Sequence, residues 1–86
     1  MEELIGEVVV VDLRSSYLCI GTLKGVTVDF LDIRNADLHD LRDTETTREK
    51  YVADSAATGV KRNRKKLLLV RGDIVAISRL SDVVEQ

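Results

Sequence analysis

Four consecutive valines, Val8–Val11, sit inside the run Glu7–Leu13. Side chains branched at Cβ lose rotamer freedom against a helical turn but pack well on a pleated sheet, so this run reads as a strand. Ser15 and Ser16 end it. Four further runs of strand length follow: Tyr17–Leu23, closed by Lys24-Gly25; Val28–Ile33; Lys66–Val70; and Ile74–Leu80 after the turn Arg71-Gly72-Asp73. In the third, Val28 and Phe30 point to one face and Leu31 and Ile33 to the other. Gly21 inside the second predicts a sharp bend or a close backbone approach. The chain has no proline, which suits ladders that need each N–H donor. Five short strands with brief connections predict an all-β fold, a small barrel rather than a sandwich, which needs more chain.

One interval resists that pattern. From about His39 to Lys66 the chain is too long for a tight turn and needs structure of its own or flexibility. Thr44–Thr58, with Asp43 or Thr44 as candidate cap and Gly59 behind it, suits a short helix. Arg48–Ala53 would equally extend a hairpin. The reading adopted is an elongated hairpin with a disordered or helical tip.

The 86 residues are read as a single domain, 1–86. A domain this small buries only roughly 60–65% of the surface its unfolded chain exposes, so association with further copies is a natural source of stability. The net charge of −2 excludes a uniformly basic nucleic-acid binder. Charge placement is uneven, however: Lys61, Arg62, Arg64, Lys65 and Lys66 fall within six residues, while residues 1–60 hold twelve of the fifteen acids. The lone Cys19 cannot form a disulfide within the chain, which suits a reducing cytoplasm. Met1-Glu2-Glu3 is acidic where a secretory leader is basic, and the run Val8–Val11 falls far short of a membrane span. A soluble cytoplasmic protein with no membrane partner is expected.

The order of these pieces resembles the Sm-like family, ring-forming RNA-binding proteins of ribonucleoprotein particles. The family's first motif is strand, turn, strand with a mid-strand glycine, glycine turn, strand. Val9–Leu13, Tyr17–Leu23 with Gly21, Lys24-Gly25-Val26 and Phe30–Ile33 follow it. The second motif, an apolar strand, Arg-Gly and another apolar strand, is matched by Leu67–Val70, Arg71-Gly72 and Ile74–Ile77. The resemblance covers about residues 7–38 and 66–79. It implies a strongly bent five-stranded barrel of the SH3 type, with an extended variable loop between strands three and four. It further implies a homo-oligomeric ring in which the fourth strand of one copy, near Leu67–Val70, pairs with the fifth of the next, near Val75–Arg79.

The resemblance also implies a site for single-stranded RNA at the ring pore, formed by Phe30, Asp32, Arg71 and Gly72. In such a site an aromatic face or a guanidinium plane stacks an unpaired base and a polar side chain reads its edge. The family pocket offers an acid, an aromatic two residues on and an asparagine two further. With Phe30 as the aromatic, Val28 stands at the acid, Asp29 lies beside it, and Asp32 replaces the asparagine. An ionised aspartate accepts hydrogen bonds but donates none, which favours bases that present donors. Arg71 can stack or hold phosphate, and Gly72 lets backbone approach closely.

Other features read more plainly. His39 with Asp37, Asp40 and Asp43 lacks the second histidine or cysteine pair of a metal site and is read as surface charge on a loop. Cys19 lacks an activating base and reads as core. Lys61–Lys66 reads as a solvated hairpin arm that would recur around a ring as a basic collar. No catalytic constellation is present, so no enzyme and no cofactor are expected. Two alternatives to the RNA-binding ring stay open: a structural or protein-interaction ring with a degenerate RNA pocket, and a monomeric barrel that binds peptide. Two tyrosines and one phenylalanine are few for the aromatic groove the last would need.

Overall fold

The computed structural model describes residues 1–43 and 45–84. Strands β1 (Val8–Leu13), β2 (Tyr17–Val26) and β3 (Phe30–Asp40) are followed by helix α1 (Arg48–Thr58) and strands β4 (Arg64–Val70) and β5 (Ile74–Arg79). Single 3-10 turns lie at Glu2–Leu4, Leu41–Asp43, Arg71–Asp73 and Leu80–Asp82. The five strands make one antiparallel sheet in the order β4-β3-β2-β1-β5. The sheet is open. Among the described residues β4 pairs only with β3 and β5 only with β1, which makes these two the edges.

Val9, Val10 and Val11 of the valine run are buried, on both sides of the sheet, and the strand alternation explains how. Val9 and Val11 turn to a core with Cys19, Leu23, Leu31, Ile33, Ala36 and Leu69, closed at one end by Leu4. Val10 turns the other way and packs with Leu18 and Ile20 against Val52 of α1. Tyr51, Val60, Leu80 and Val83 fill in around that second cluster. The helix thus covers the β1–β2 face that would otherwise meet water.

Gly21 is a close-approach position, as expected. A Cβ there would meet Ile33 Cγ2 at 2.6 Å and, on the backbone, Ala36 Cα at 3.0 Å and the Arg34 carbonyl oxygen at 3.1 Å. The β2–β3 register shifts at this point, and Asn35 opposite adopts a left-handed φ of 51°. A missing side chain on one strand lets the partner strand cross tightly and bend.

Several expected boundaries move. Lys24-Gly25 does not close the second strand; it lies within β2 at a register shift, and the turn falls at Thr27–Asp29. There the Thr27 hydroxyl accepts from the amides of Asp29 (3.3 Å) and Phe30 (2.9 Å), building the turn from a side chain. β3 runs on to Asp40, because Tyr17 and Leu18 extend the β2 ladder opposite Asp40 and His39. Arg48–Ala53 do not extend a hairpin; they form the first part of α1. The helix starts where the Thr47 hydroxyl accepts from Lys50 N, and it ends at Gly59, whose φ of 99° suits glycine. Of the two cap candidates, Asp43 belongs to a 3-10 turn and Thr44 lies outside the described residues. β4 is not buried as its sequence suggests: Leu69 faces the core, while Leu68 and Val70 are exposed. No helix among the described residues is long and apolar enough to cross a membrane.

Candidate nucleic-acid interface

Phe30 opens β3 directly opposite Val70, the last residue of β4. That pairing sets the Thr27–Asp29 turn beside the Arg71–Asp73 turn. Two hydrogen bonds join them: Arg71 N donates to the Asp29 carbonyl at 2.9 Å, and Arg71 Nη1 donates to the Thr27 carbonyl at 2.7 Å. A third turn is tied in from the β1–β2 connection. Arg14 Nε donates to the Gly72 carbonyl at 2.8 Å, and Arg14 N donates to the Asp73 carbonyl at 2.8 Å. Phe30, Arg71 and Gly72, far apart in sequence, therefore sit at one end of the sheet.

Phe30 keeps 39% of its surface exposed, beside Val28 and Val70, which are also exposed. It points away from the core that takes Leu31 and Ile33. An aromatic ring held this way has a surface free for stacking. Arg71 is half-buried, with its guanidinium engaged on Thr27. Gly72 has nothing within 4 Å of the place a Cβ would occupy, so the turn itself does not require glycine there.

Asp32 lies one step further along β3, on the same face as Phe30 because alternate residues share a face. Its carboxylate is taken by Arg34, while the Arg71 guanidinium is held by the Thr27 carbonyl. Arg34 Nε and Nη2 reach Asp32 Oδ1 and Oδ2 at 2.9 and 3.2 Å, a fork on a carboxylate. The Arg34 hydrogen bond holds the Asp32 carboxyl below its ordinary pKa range. Arg34 is thus a member of this site that the sequence motifs do not include; the spacing Asp-x-Arg on a strand was the available signal.

Of the acids around His39, Asp43 is exposed on a connecting 3-10 turn, but Asp37 and Asp40 are not loop charge. Asp37, His39 and Asp40 belong to β3, and Asp37 is buried. Asp37 accepts from the Tyr51 hydroxyl and from Asn63 Nδ2 (3.2 Å), and the His39 ring stacks on Tyr51 with centroids 4.2 Å apart. Asn63 also brackets Leu38, accepting from its amide at 3.0 Å and donating to its carbonyl at 2.9 Å. These residues fasten α1 and the segment after it to β3. No group of three or more metal-binding side chains occurs among the described residues. Cys19 is buried in the core, and burial, followed by the charge of Asp37, pushes its thiol up to about 12.

The edges carry apolar surface of their own. Leu68 (50%) and Val70 (52%) on β4 and Val75 (67%) on β5 are exposed. Between β4 and the β1–β2 turn lies a cleft of about 430 Å³, lined by Leu13, Tyr17, Leu38, Leu67 and Leu69 among others. No protein-family model matches the sequence, and no curated protein matches it.

Proposed function

We propose that this chain is an Sm-like subunit that assembles edge to edge into a ring and holds single-stranded RNA at the end of the sheet marked by Phe30, Asp32, Arg71 and Gly72. The observation that carries the reading is the strand order: β4 and β5 are the outermost strands, and each offers an unpaired backbone edge with exposed apolar side chains. Unpaired edges seek partners. Pairing β4 of one copy with β5 of the next would satisfy both edges, set Leu68, Val70 and Val75 beside side chains of the neighbouring strand, and join the open sheets of successive copies into one continuous sheet. Such a contact joins unlike surfaces and forms a ring when its rotation closes. α1 supports this reading by packing on Val10, Leu18 and Ile20, a location that leaves the edges uncovered. A free, buried Cys19 agrees with a cytoplasmic setting.

Repetition around a ring would bring one Phe30–Arg71 corner per subunit to the pore. Each exposed aromatic ring would stack a base, and Arg71 would contact nucleotide once it releases the Thr27 carbonyl. Native mass spectrometry with and without a randomised RNA pool tests both halves of the proposal. A closed oligomer with bound RNA is expected, together with an affinity that falls as salt rises. A monomer at micromolar concentration would refute assembly, and no binding at low salt would refute the RNA site.

One observation favours a second reading, a structural ring without RNA. Both charged members of the site already have partners, Asp32 with Arg34 and Arg71 with Thr27. On that reading Arg71→Ala alters stability or assembly and leaves RNA affinity unchanged. On the first it weakens binding by about 1–3 kcal/mol.

A further inference from the structure

The face of the sheet that carries Phe30 and Asp32 continues into a concentration of positive charge that the site above shares only through Arg34. Lys24 of β2, Arg34 of β3, and Lys65 and Lys66 of β4 line one open pocket of about 500 Å³, together with Thr22 and Asn35. The register explains how residues so distant in sequence meet. Thr22 lies opposite Arg34, and Arg34 lies opposite Lys66, so three adjacent strands present these side chains in one row. Lys24 sits at the β2 register shift between Leu23 and Gly25 and lines the same pocket. Asn35 reaches the same pocket from the left-handed position that accompanies the Gly21 crossing.

Arg34 and Lys66 are like charges placed directly across a strand pair, an arrangement that costs stability. The nearby Asp32 offsets part of it, but both its oxygens are already taken by Arg34. Its depressed pKa owes most to Arg34 and less to Lys66 and Lys24, in keeping with one shared neighbourhood. No ion pair among the described residues involves Lys24, Lys65 or Lys66. In a chain whose net charge is −2, these side chains form a local excess of positive charge with a single carboxylate, Asp32, beside it.

We infer that this pocket binds backbone phosphates of single-stranded RNA, as a second anchor for the strand that leaves the Phe30–Arg71 corner. The ligand's identity rests on the RNA reading above; the existence of an anion site does not. The shape favours a chain over a flat anionic surface. Phe30, Asp32 and Arg34 alternate along β3, so the pocket lies about 13 Å from the aromatic ring at the strand rise of about 3.3 Å per residue. A short extended stretch of single strand covers that distance, with a base at one end and phosphates at the other. Side chains on this face stand perpendicular to the sheet, so pairing of the β4 edge with another copy leaves the lysines accessible. Thr22 and Asn35 add neutral donors for phosphate oxygens.

The test is fluorescence anisotropy of the full chain with a labelled, unstructured single-stranded RNA over a range of salt, for wild type, Lys24→Ala/Lys66→Ala, Lys24→Arg/Lys66→Arg and Arg71→Ala. The alanine pair is expected to weaken binding about tenfold or more at low salt, for all RNA sequences alike. It should also lower the slope of log affinity against log salt by about 1.4, because each single-strand phosphate that the protein neutralises accounts for roughly 0.7 of that slope. The arginine pair should keep wild-type affinity, which separates removal of charge from a damaged fold. If Arg71→Ala weakens binding while the alanine pair changes neither affinity nor slope, the second anchor is overturned and the first site stands. If the alanine pair weakens binding and Arg71→Ala does not, the phosphate pocket stands without the corner. Binding to vesicles of phosphatidylserine and phosphatidylcholine but to no RNA would overturn the inference in favour of a membrane surface.

Discussion

At Gly21 the cost of any side chain is set by backbone, not by a movable neighbour. The Ile33 methyl group can swing away from a new Cβ, but Ala36 Cα and the Arg34 carbonyl cannot without parting β2 from β3. Gly21→Ala is therefore expected to destabilise the fold by about 1–3 kcal/mol, measured as a lower urea midpoint. Tyr51 is the other residue with an outsized role. Its hydroxyl donates to the buried Asp37, so Tyr51→Phe strips a donor from a carboxylate that has little water to replace it. A loss of about 1–3 kcal/mol is expected. The pH dependence follows from the same hydrogen bond. Burial, then Asp37, raises the Tyr51 hydroxyl above its ordinary value. A raised folded pKa gives stability that is complete below the unfolded value, about 10, and is lost as pH rises toward the folded one. Urea midpoints should fall above about pH 10 in wild type and fall less in Tyr51→Phe. The role of Gly21 was legible because glycine inside an apolar run has few other uses. The Tyr51–Asp37–Asn63 set was not, since its members lie on β3, on α1 and just before β4, and local pattern carries no sign of the meeting.

The elements repeat this contrast. All five strands announce themselves in the sequence by branched and apolar runs, yet the β2–β3 turn is displaced, because a strand can absorb Lys24-Gly25 as an irregularity and continue. The interval from His39 to Lys66 was harder to read. Arg48–Ala53 suits strand or helix taken alone, and the outcome depends on Thr47 as cap and on Val10, Leu18 and Ile20 as an apolar floor for Val52. Local propensity cannot register a floor built by other strands. If docking rather than intrinsic helicity maintains α1, Val52→Asp should release it while the sheet persists. Hydrogen exchange is the measurement. Amides of α1 should lose protection, and those of β1–β3 should retain most of theirs; uniform loss throughout would mean that helix and sheet fold as one unit.

For the whole molecule, the decisive feature is a sheet with two bare ends. Nothing in the pattern of any one strand says which strands lie outermost; that follows from the pairing of β5 with β1 and of β4 with β3. The Phe30–Arg71 corner depends on the same long-range pairing, and only the resemblance between separated motifs suggested it. Val75→Lys places a charge on exposed β5 surface, where a lone chain tolerates it but an apolar joint does not. Size exclusion with light scattering should show assembly in wild type and single chains in the variant, and the wild-type urea midpoint alone should rise with concentration. The two ends are also unlike one another, which gives the proposed assembly a direction. A copy with β5 disabled keeps a working β4, so it can still accept a neighbour while offering nothing to the next. Mixed with intact chains, a small fraction of such copies would act as terminators, leaving arcs in place of closed circles.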